Sequence, residues 1–245
     1  CYVIPGLIDI HNHGAMLTDA SSEDMSPWFN FNVRNGITTI LPTLLTKPVD
    51  EMLKDIENLV SYIEKSDYDI KIPGINMEGP YLNPCYGIQH PQYCIEPAQK
   101  HYLDIIERAK GLIRIMTVAP ELNGSRELIE YLIDNGIKVS IGHTDASADV
   151  TENAIAKGAN CMTHAFNAFG YPGPKYKDSR PDKVSGVREV RAIDVLLEND
   201  NVYAELISDK NGRHVSPVLQ SLLLKIKGVD KIILITDAVK YTGLD

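Results

Sequence analysis

Residues 135–145 read Asn-Gly-Ile-Lys-Val-Ser-Ile-Gly-His-Thr-Asp. They follow a stretch with the apolar spacing of a helix, 124–135, so Gly136 stands where that helix ends and tolerates the left-handed backbone that ends it. The run 137–142 behind it has the length and composition of a buried parallel strand. His143 then stands at the strand's C-terminal end. Helix, glycine, strand and polar residue form one unit, and the unit recurs along the chain.

The same punctuation falls at Gly36, Gly111, Gly158 and Gly228. Strands are expected at 3–10, 37–42, 71–77, 113–118, 137–142, 159–163, 201–207 and 231–236. Helices are expected near 23–35, 49–63, 97–110, 124–135, 148–157, 189–199 and 215–226. In 49–63, Val49, Met52, Leu53, Ile56, Leu59, Val60 and Ile63 fall on one helical face. Alternation of this kind implies a parallel sheet with right-handed crossovers, and eight strands is the number that closes a (β/α)8 barrel. A doubly wound open sheet is the runner-up, but no Gly-x-Gly-x-x-Gly follows the first strand.

Composition narrows the function classes. The 245 residues are 44% hydrophobic and 23% charged, enough for one barrel domain over 1–245 with a substantial core. A formal charge of −9 argues against nucleic acid or an acidic membrane surface as partner. Cys1, Cys85, Cys94 and Cys161 form no Cys-x-x-Cys pair, which reads as reduced thiols in a cytoplasmic protein. No apolar run approaches the length of a membrane span. The chain opens at Cys1 and stops in Tyr-Thr-Gly-Leu-Asp, 241–245, and reads as a segment of a longer protein.

Catalytic groups of such a barrel sit at the C-terminal ends of its strands. There the sequence places His11 and His13 after the first strand, Glu78 after the third, His143 after the fifth, His164 after the sixth and Asp237 after the eighth. Each alone has an ordinary reading as a hydrogen-bonded histidine or a helix-capping aspartate. Together they bring imidazole nitrogen and carboxylate oxygen to one rim, the donor set that Zn²⁺ and similar ions take. In a strand, i and i+2 share a face, so His11 and His13 both turn to the barrel axis while Asn12 turns away, and Gly14 lets the chain bend behind them. His90 and His101 read as structural or surface residues.

The stretches Pro-Gly-Leu-Ile-Asp-Ile-His-Asn-His-Gly (5–14), Asn-Met-Glu-Gly-Pro-Tyr-Leu-Asn-Pro (76–84), Val-Ala-Pro-Glu (118–121), Gly-His-Thr-Asp-Ala (142–146), Thr-His-Ala-Phe-Asn-Ala (163–168) and Thr-Asp-Ala (236–238) resemble, in this order, the amidohydrolase superfamily. More narrowly they resemble its N-acetylglucosamine-6-phosphate deacetylase family. The resemblance implies a metal-dependent hydrolase barrel that removes the acetyl group of an amino-sugar 6-phosphate. It implies that Glu78, His143 and His164 bind the principal metal, and that His11 and His13 add a second one sharing Glu78. Asp237 would be the catalytic acid and base, with Asn167, Ala168 and His214 touching the sugar. One or two divalent ions are implied, Zn²⁺ first, with Fe²⁺ or Mn²⁺ as alternatives, and so is a homodimer.

Two departures stand out. Where that family carries an Arg-x-Pro-Gly-like motif, residues 170–183 hold Lys175, Lys177, Arg180 and Lys183 among three prolines, and Arg180 would stand in for the phosphate arginine. The family's small β-sandwich and the barrel's last helix are not expected within this chain. The alternatives left open are an amidohydrolase for an unphosphorylated N-acetyl sugar or another amide, and a non-catalytic relative that binds metal or sugar.

Overall fold

The computed structural model describes residues 2–65, 69–170 and 189–244. Eight parallel strands follow one another around the sheet in chain order: β1 (Leu7–Asn12), β2 (Ile37–Leu44), β3 (Ile75–Glu78), β4 (Ile113–Val118), β5 (Lys138–Ile141), β6 (Cys161–Met162), β7 (Tyr203–Ile207) and β8 (Ile232–Ile235). Seven α-helices alternate with them among the described residues: α1 (Ser26–Arg34), α2 (Val49–Lys65), α3 (Gln99–Arg108), α4 (Ser125–Asp134), α5 (Ala148–Ala156), α6 (Ala192–Glu198) and α7 (Pro217–Lys227). The two edge strands meet at one end. Asn12 bridges Ala238 in parallel, Asp237 N donates to His11 O (2.9 Å) and His13 N donates to Ala238 O (2.7 Å). The sheet is therefore a barrel rather than an open doubly wound sheet, and its closing hydrogen bonds run through the residues expected to do the chemistry.

The expected elements lie within a few residues of those observed, and two shifts have physical causes. The first strand was expected from residue 3 and begins at Leu7, past Pro5 and Gly6, so His11 lies inside it. The third was expected from residue 71 and begins at Ile75, because Pro73 has no N–H for a ladder; Glu78 is thus its last residue. The apolar face of α2 buries Met52, Leu53, Ile56, Leu59 and Val60 against the sheet, while Val49 and Ile63 pack at its margin. Each such side chain contributes about 1.5–3 kcal/mol by leaving water. Gly124 ahead of α4 and Gly136 after it both hold positive φ, 87° and 73°.

The inner lining is not uniformly apolar. Asn76, Thr117, Ser140, Thr163 and Glu205 are all buried, and Thr163 Oγ1 pairs with both Thr117 Oγ1 and Ser140 Oγ. Hydrophobic packing is concentrated between strands and helices, leaving the axis for polar groups. No helix among the described residues is long and apolar enough to cross a membrane.

Candidate metal centre

His11, His13, Glu78, His143 and His164 come together at the C-terminal mouth of the barrel, and all five are buried. Backbone geometry helps aim them. His143, His164 and Asp237 have positive φ (48°, 28° and 49°), as do Phe166 (72°) and Ala168 (56°) in the loop after β6. Side chains rarely adopt this region, at a cost of order 1–3 kcal/mol each, and such residues concentrate where a site demands them.

The hydrogen-bond partners set the tautomers. His13 Nδ1 donates to Thr43 O (3.0 Å), His143 Nδ1 to Tyr86 O (2.9 Å) and His164 Nδ1 to Asn167 O (3.2 Å). His11 Nδ1 donates to a Glu205 carboxylate oxygen at 3.0 Å. Carbonyl and carboxylate oxygens only accept, so each Nδ1 carries a proton, and each ring in its neutral form turns an Nε2 lone pair inward. These lone pairs face one another: His11 and His13 Nε2 are 3.2 Å apart, His143 and His164 Nε2 3.0 Å. With the rings neutral, four acceptors pointed at a carboxylate have no donor among the described residues to satisfy them. This donor set fits a cation.

Glu78 lies between the two pairs. Its Oε1 is 2.7 Å from His143 Nε2, 2.9 Å from His164 Nε2 and 3.6 Å from His11 Nε2, and its Oε2 is 3.4 Å from His13 Nε2. Two groups that could hold a metal ion result, His11–His13–Glu78 and Glu78–His143–His164, each with its ligand atoms within 4.8 Å of one another. A tetrahedral ion with nitrogen ligands at roughly 2.0–2.1 Å spaces them about 3.3 Å apart, close to the first group's 3.2–3.6 Å. Asp237 Oδ1 is 3.2 Å from His13 Nε2 and 3.6 Å from His11 Nε2. Its side chain is 26% exposed where the five others are 0–4%, so of these six groups it is the one an incoming molecule meets.

Burial works against charge throughout, and the neighbours overcome it. For His11 the carboxylates of Glu205, Glu78 and Asp237 outweigh desolvation and hold the pKa up at about 10. His164 is raised too, against its burial, through the hydrogen bond and charge of Glu78. Glu78 is held well below the carboxylate range despite burial, chiefly by His143, and Asp237 is lowered to about 2, against burial, by the hydrogen bond to His13 and the charge of His11. In the metal-free protein the raised His11 imidazole holds a proton at neutral pH that a metal must displace. Affinity for a divalent ion is therefore expected to rise with pH, about tenfold per pH unit for each proton displaced. Calorimetric titration in buffers of different ionisation enthalpy checks this by counting protons released; a pH-independent affinity with none released contradicts it.

Two contributors carry no motif. Gln89 Nε2 donates to Glu78 Oε2 (2.8 Å) while its Oε1 accepts from Thr46 N (3.2 Å), fixing the carboxylate's orientation. Glu205, fully buried on β7, holds His11. Nothing local marks Gln89, whereas Glu205 interrupts the strand Tyr-Ala-Glu-Leu-Ile, where a buried parallel strand would hold only apolar residues. Glu121, in the Val-Ala-Pro-Glu stretch, accepts from Asn83, Thr144 and Asp145, tying the loops after β3 and β5 together.

Gly87 lies against the back of His143. A Cβ there would fall 2.3 Å from His143 Nδ1, at a φ of 101°. Gly87→Ala is expected to push the ring off Tyr86 O and weaken metal binding about 10–100-fold, the range for loss of a ligand's supporting hydrogen bond. Competition with a chelator of known affinity reads the change, and wild-type affinity would show that the loop yields instead.

The remaining expected residues divide. Asn167 stands at the mouth in the strained loop after β6, and its buried Nδ2 has no hydrogen-bond partner among the described residues. Ala168 O accepts from Thr144 N beside His143. His214 is exposed and pairs with Asp209 at 3.2 Å, outside the imidazole cluster. His90, stacked edge-on against Tyr93, and His101, on α3, are exposed. Arg180, with Lys175, Lys177 and Lys183, lies outside the described residues. Cys85, Cys94 and Cys161 are free thiols.

A (β/α)8 barrel with histidines and a glutamate gathered at the C-terminal mouth is the architecture of a metal-dependent hydrolase. The sequence profile of the amidohydrolase family matches residues 2–211, and the chain belongs to that family. It is 33% identical to the N-acetylglucosamine-6-phosphate deacetylase of Bacillus subtilis (strain 168), over 99% of this chain and 59% of that protein. Among solved structures, the N-acetyl-D-glucosamine-6-phosphate deacetylase of Mycobacterium smegmatis superposes with a TM-score of 0.84 at 28% identity, covering 98% of this chain and 65% of that one. A mutant of that enzyme in complex with N-acetyl-D-glucosamine-6-phosphate superposes with a TM-score of 0.81 at 27% identity, over 99% of this chain and 60% of that one. The chain spans 59–60% of the length of the first curated relatives it matches.

Proposed function

We infer that this chain is the catalytic barrel of a metal-dependent deacetylase that hydrolyses N-acetylglucosamine 6-phosphate to glucosamine 6-phosphate and acetate. The observation that carries the reading is the convergence of four imidazole Nε2 lone pairs on Glu78 with the partly exposed carboxylate of Asp237 beside them. The substrate is assigned on the likeness to the deacetylases, one of them in complex with that sugar phosphate. Glu78, His143 and His164 would hold one divalent ion and His11, His13 and Glu78 a second. Zn²⁺ is assigned first, and Fe²⁺ or Mn²⁺ suits the same donors. When bound, such an ion lowers the pKa of water from 15.7 toward about 7 and polarises the acyl carbonyl.

The chain's own residues do the rest. Asp237, held ionised by His13 and His11, takes the proton from the attacking water and hands it to the amine nitrogen as the amide C–N bond breaks. Its exposure lets it reach both atoms in turn. The Nδ2 of Asn167, unpaired among the described residues, offers a donor to the sugar or its acyl group, with Ala168 beside it. His214 and Arg180 are assigned to the sugar and its phosphate, in a cytoplasmic homodimer.

The test is acetate release by the full-length, metal-loaded protein from N-acetylglucosamine 6-phosphate and, in parallel, from N-acetylglucosamine. A strong preference for the phosphate ester is expected. Equal turnover of the two would remove phosphate from the assignment, and no turnover of either would redirect the chemistry to another amide.

A further inference from the structure

We propose that Glu205 is the positioning residue of the metal centre: it holds His11 with its Nε2 lone pair turned to the His11–His13–Glu78 site and, through the main chain of His164, ties that site to the Glu78–His143–His164 site. The proposal rests on the metal reading of the cluster.

Glu205 is completely buried, and among the described residues both of its side-chain hydrogen bonds are with proposed ligands. Its Oε2 accepts from His11 Nδ1 at 3.0 Å and from His164 N at 3.2 Å. The other oxygen, Oε1, has no hydrogen-bond partner among the described residues. A carboxylate in such a place costs free energy that an apolar residue of similar volume would not, so stability alone gives no reason for it. The other three imidazoles show the contrast: each donates its Nδ1 proton to a neutral backbone carbonyl, of Thr43, Tyr86 or Asn167. Of the four Nδ1 protons, that of His11 is the one that goes to a carboxylate. That arrangement fixes a ligand's tautomer and ring plane, strengthens it as a donor to metal, and is worth about 10–100-fold in affinity.

Two consequences follow from the geometry. Glu205 joins Glu78 and Asp237 as a third carboxylate against the positive charge of two divalent ions, in a pocket with little water to screen it. It also holds the N–H of His164, whose φ of 28° needs support, so the backbone that presents a ligand of one site is anchored to the carboxylate that orients a ligand of the other.

The test is titration of the metal-free full-length protein with Zn²⁺ followed by calorimetry, and with Co²⁺ followed by its visible ligand-field bands, for wild type, Glu205→Leu and Glu205→Gln. Wild type is expected to take up two equivalents. Glu205→Leu should take up one equivalent normally and the second about 10–100-fold more weakly, with the Co²⁺ bands of that second equivalent shifted. Glu205→Gln keeps an oxygen for His11 Nδ1 and should recover most of the loss; if the leucine variant does not fold, a smaller weakening confined to one equivalent in the glutamine variant carries the same meaning. Wild-type titration curves and spectra in both variants would overturn the proposal, and so would an equal loss of both equivalents. A wild type that binds a single ion would also overturn it while leaving the hydrolase reading intact, whereas a wild type that binds none would overturn that reading itself.

Discussion

Asp237→Asn is expected to lower kcat for acetate release by about 10²–10⁴-fold, the usual contribution of a positioned acid and base. Asparagine keeps an oxygen near His13 and His11 but can neither accept a proton at neutral pH nor return one. The Glu78–His143–His164 group does not include this side chain, so its ion should remain. Measuring kcat together with metal content per chain separates the two effects. A variant that keeps its metal and loses no activity would remove Asp237 from the chemistry.

Glu78→Gln is expected to have a larger effect, because Glu78 belongs to both ligand groups. Its carboxylate is approached by His11, His13, His143 and His164 and also accepts from Gln89 Nε2. A neutral amide presents one oxygen where two are needed, and its NH2 group would face either an imidazole or the Gln89 donor. Metal affinity should fall by more than about 100-fold, beyond the loss of a supporting hydrogen bond, and activity should fall with it. Full metal content in the variant would show that the ligand set is wrong.

How much of this was legible before the fold was known follows from the range of each interaction. Apolar periodicity and helix-ending glycines are local signals, and they placed the strands and helices to within a few residues, missing chiefly where Pro5 with Gly6, and Pro73, delay a strand. The six residues at the rim were legible because a barrel delivers every strand's C-terminal end to one side, so position along a strand already implies position in space. Even the pairing of His11 with His13 is a two-residue matter.

The supporting groups were not legible in that way. His11 meets Glu205 across 194 residues of sequence, and neither residue type identifies the other as its partner. Gln89 reaches Glu78 from an irregular loop, where no periodicity tells which way a side chain turns. The backbone oxygens of Thr43, Tyr86 and Asn167, which decide that three of the four rings present Nε2, have no side-chain signature at all. Local pattern thus determined the architecture and which residues stand at its mouth, because strand order and side-chain alternation are consequences of short-range geometry. The protonation, orientation and coupling of those residues were decided only by the closed barrel, because hydrogen bonds depend on distances of about 3 Å between atoms that the chain brings together from opposite ends.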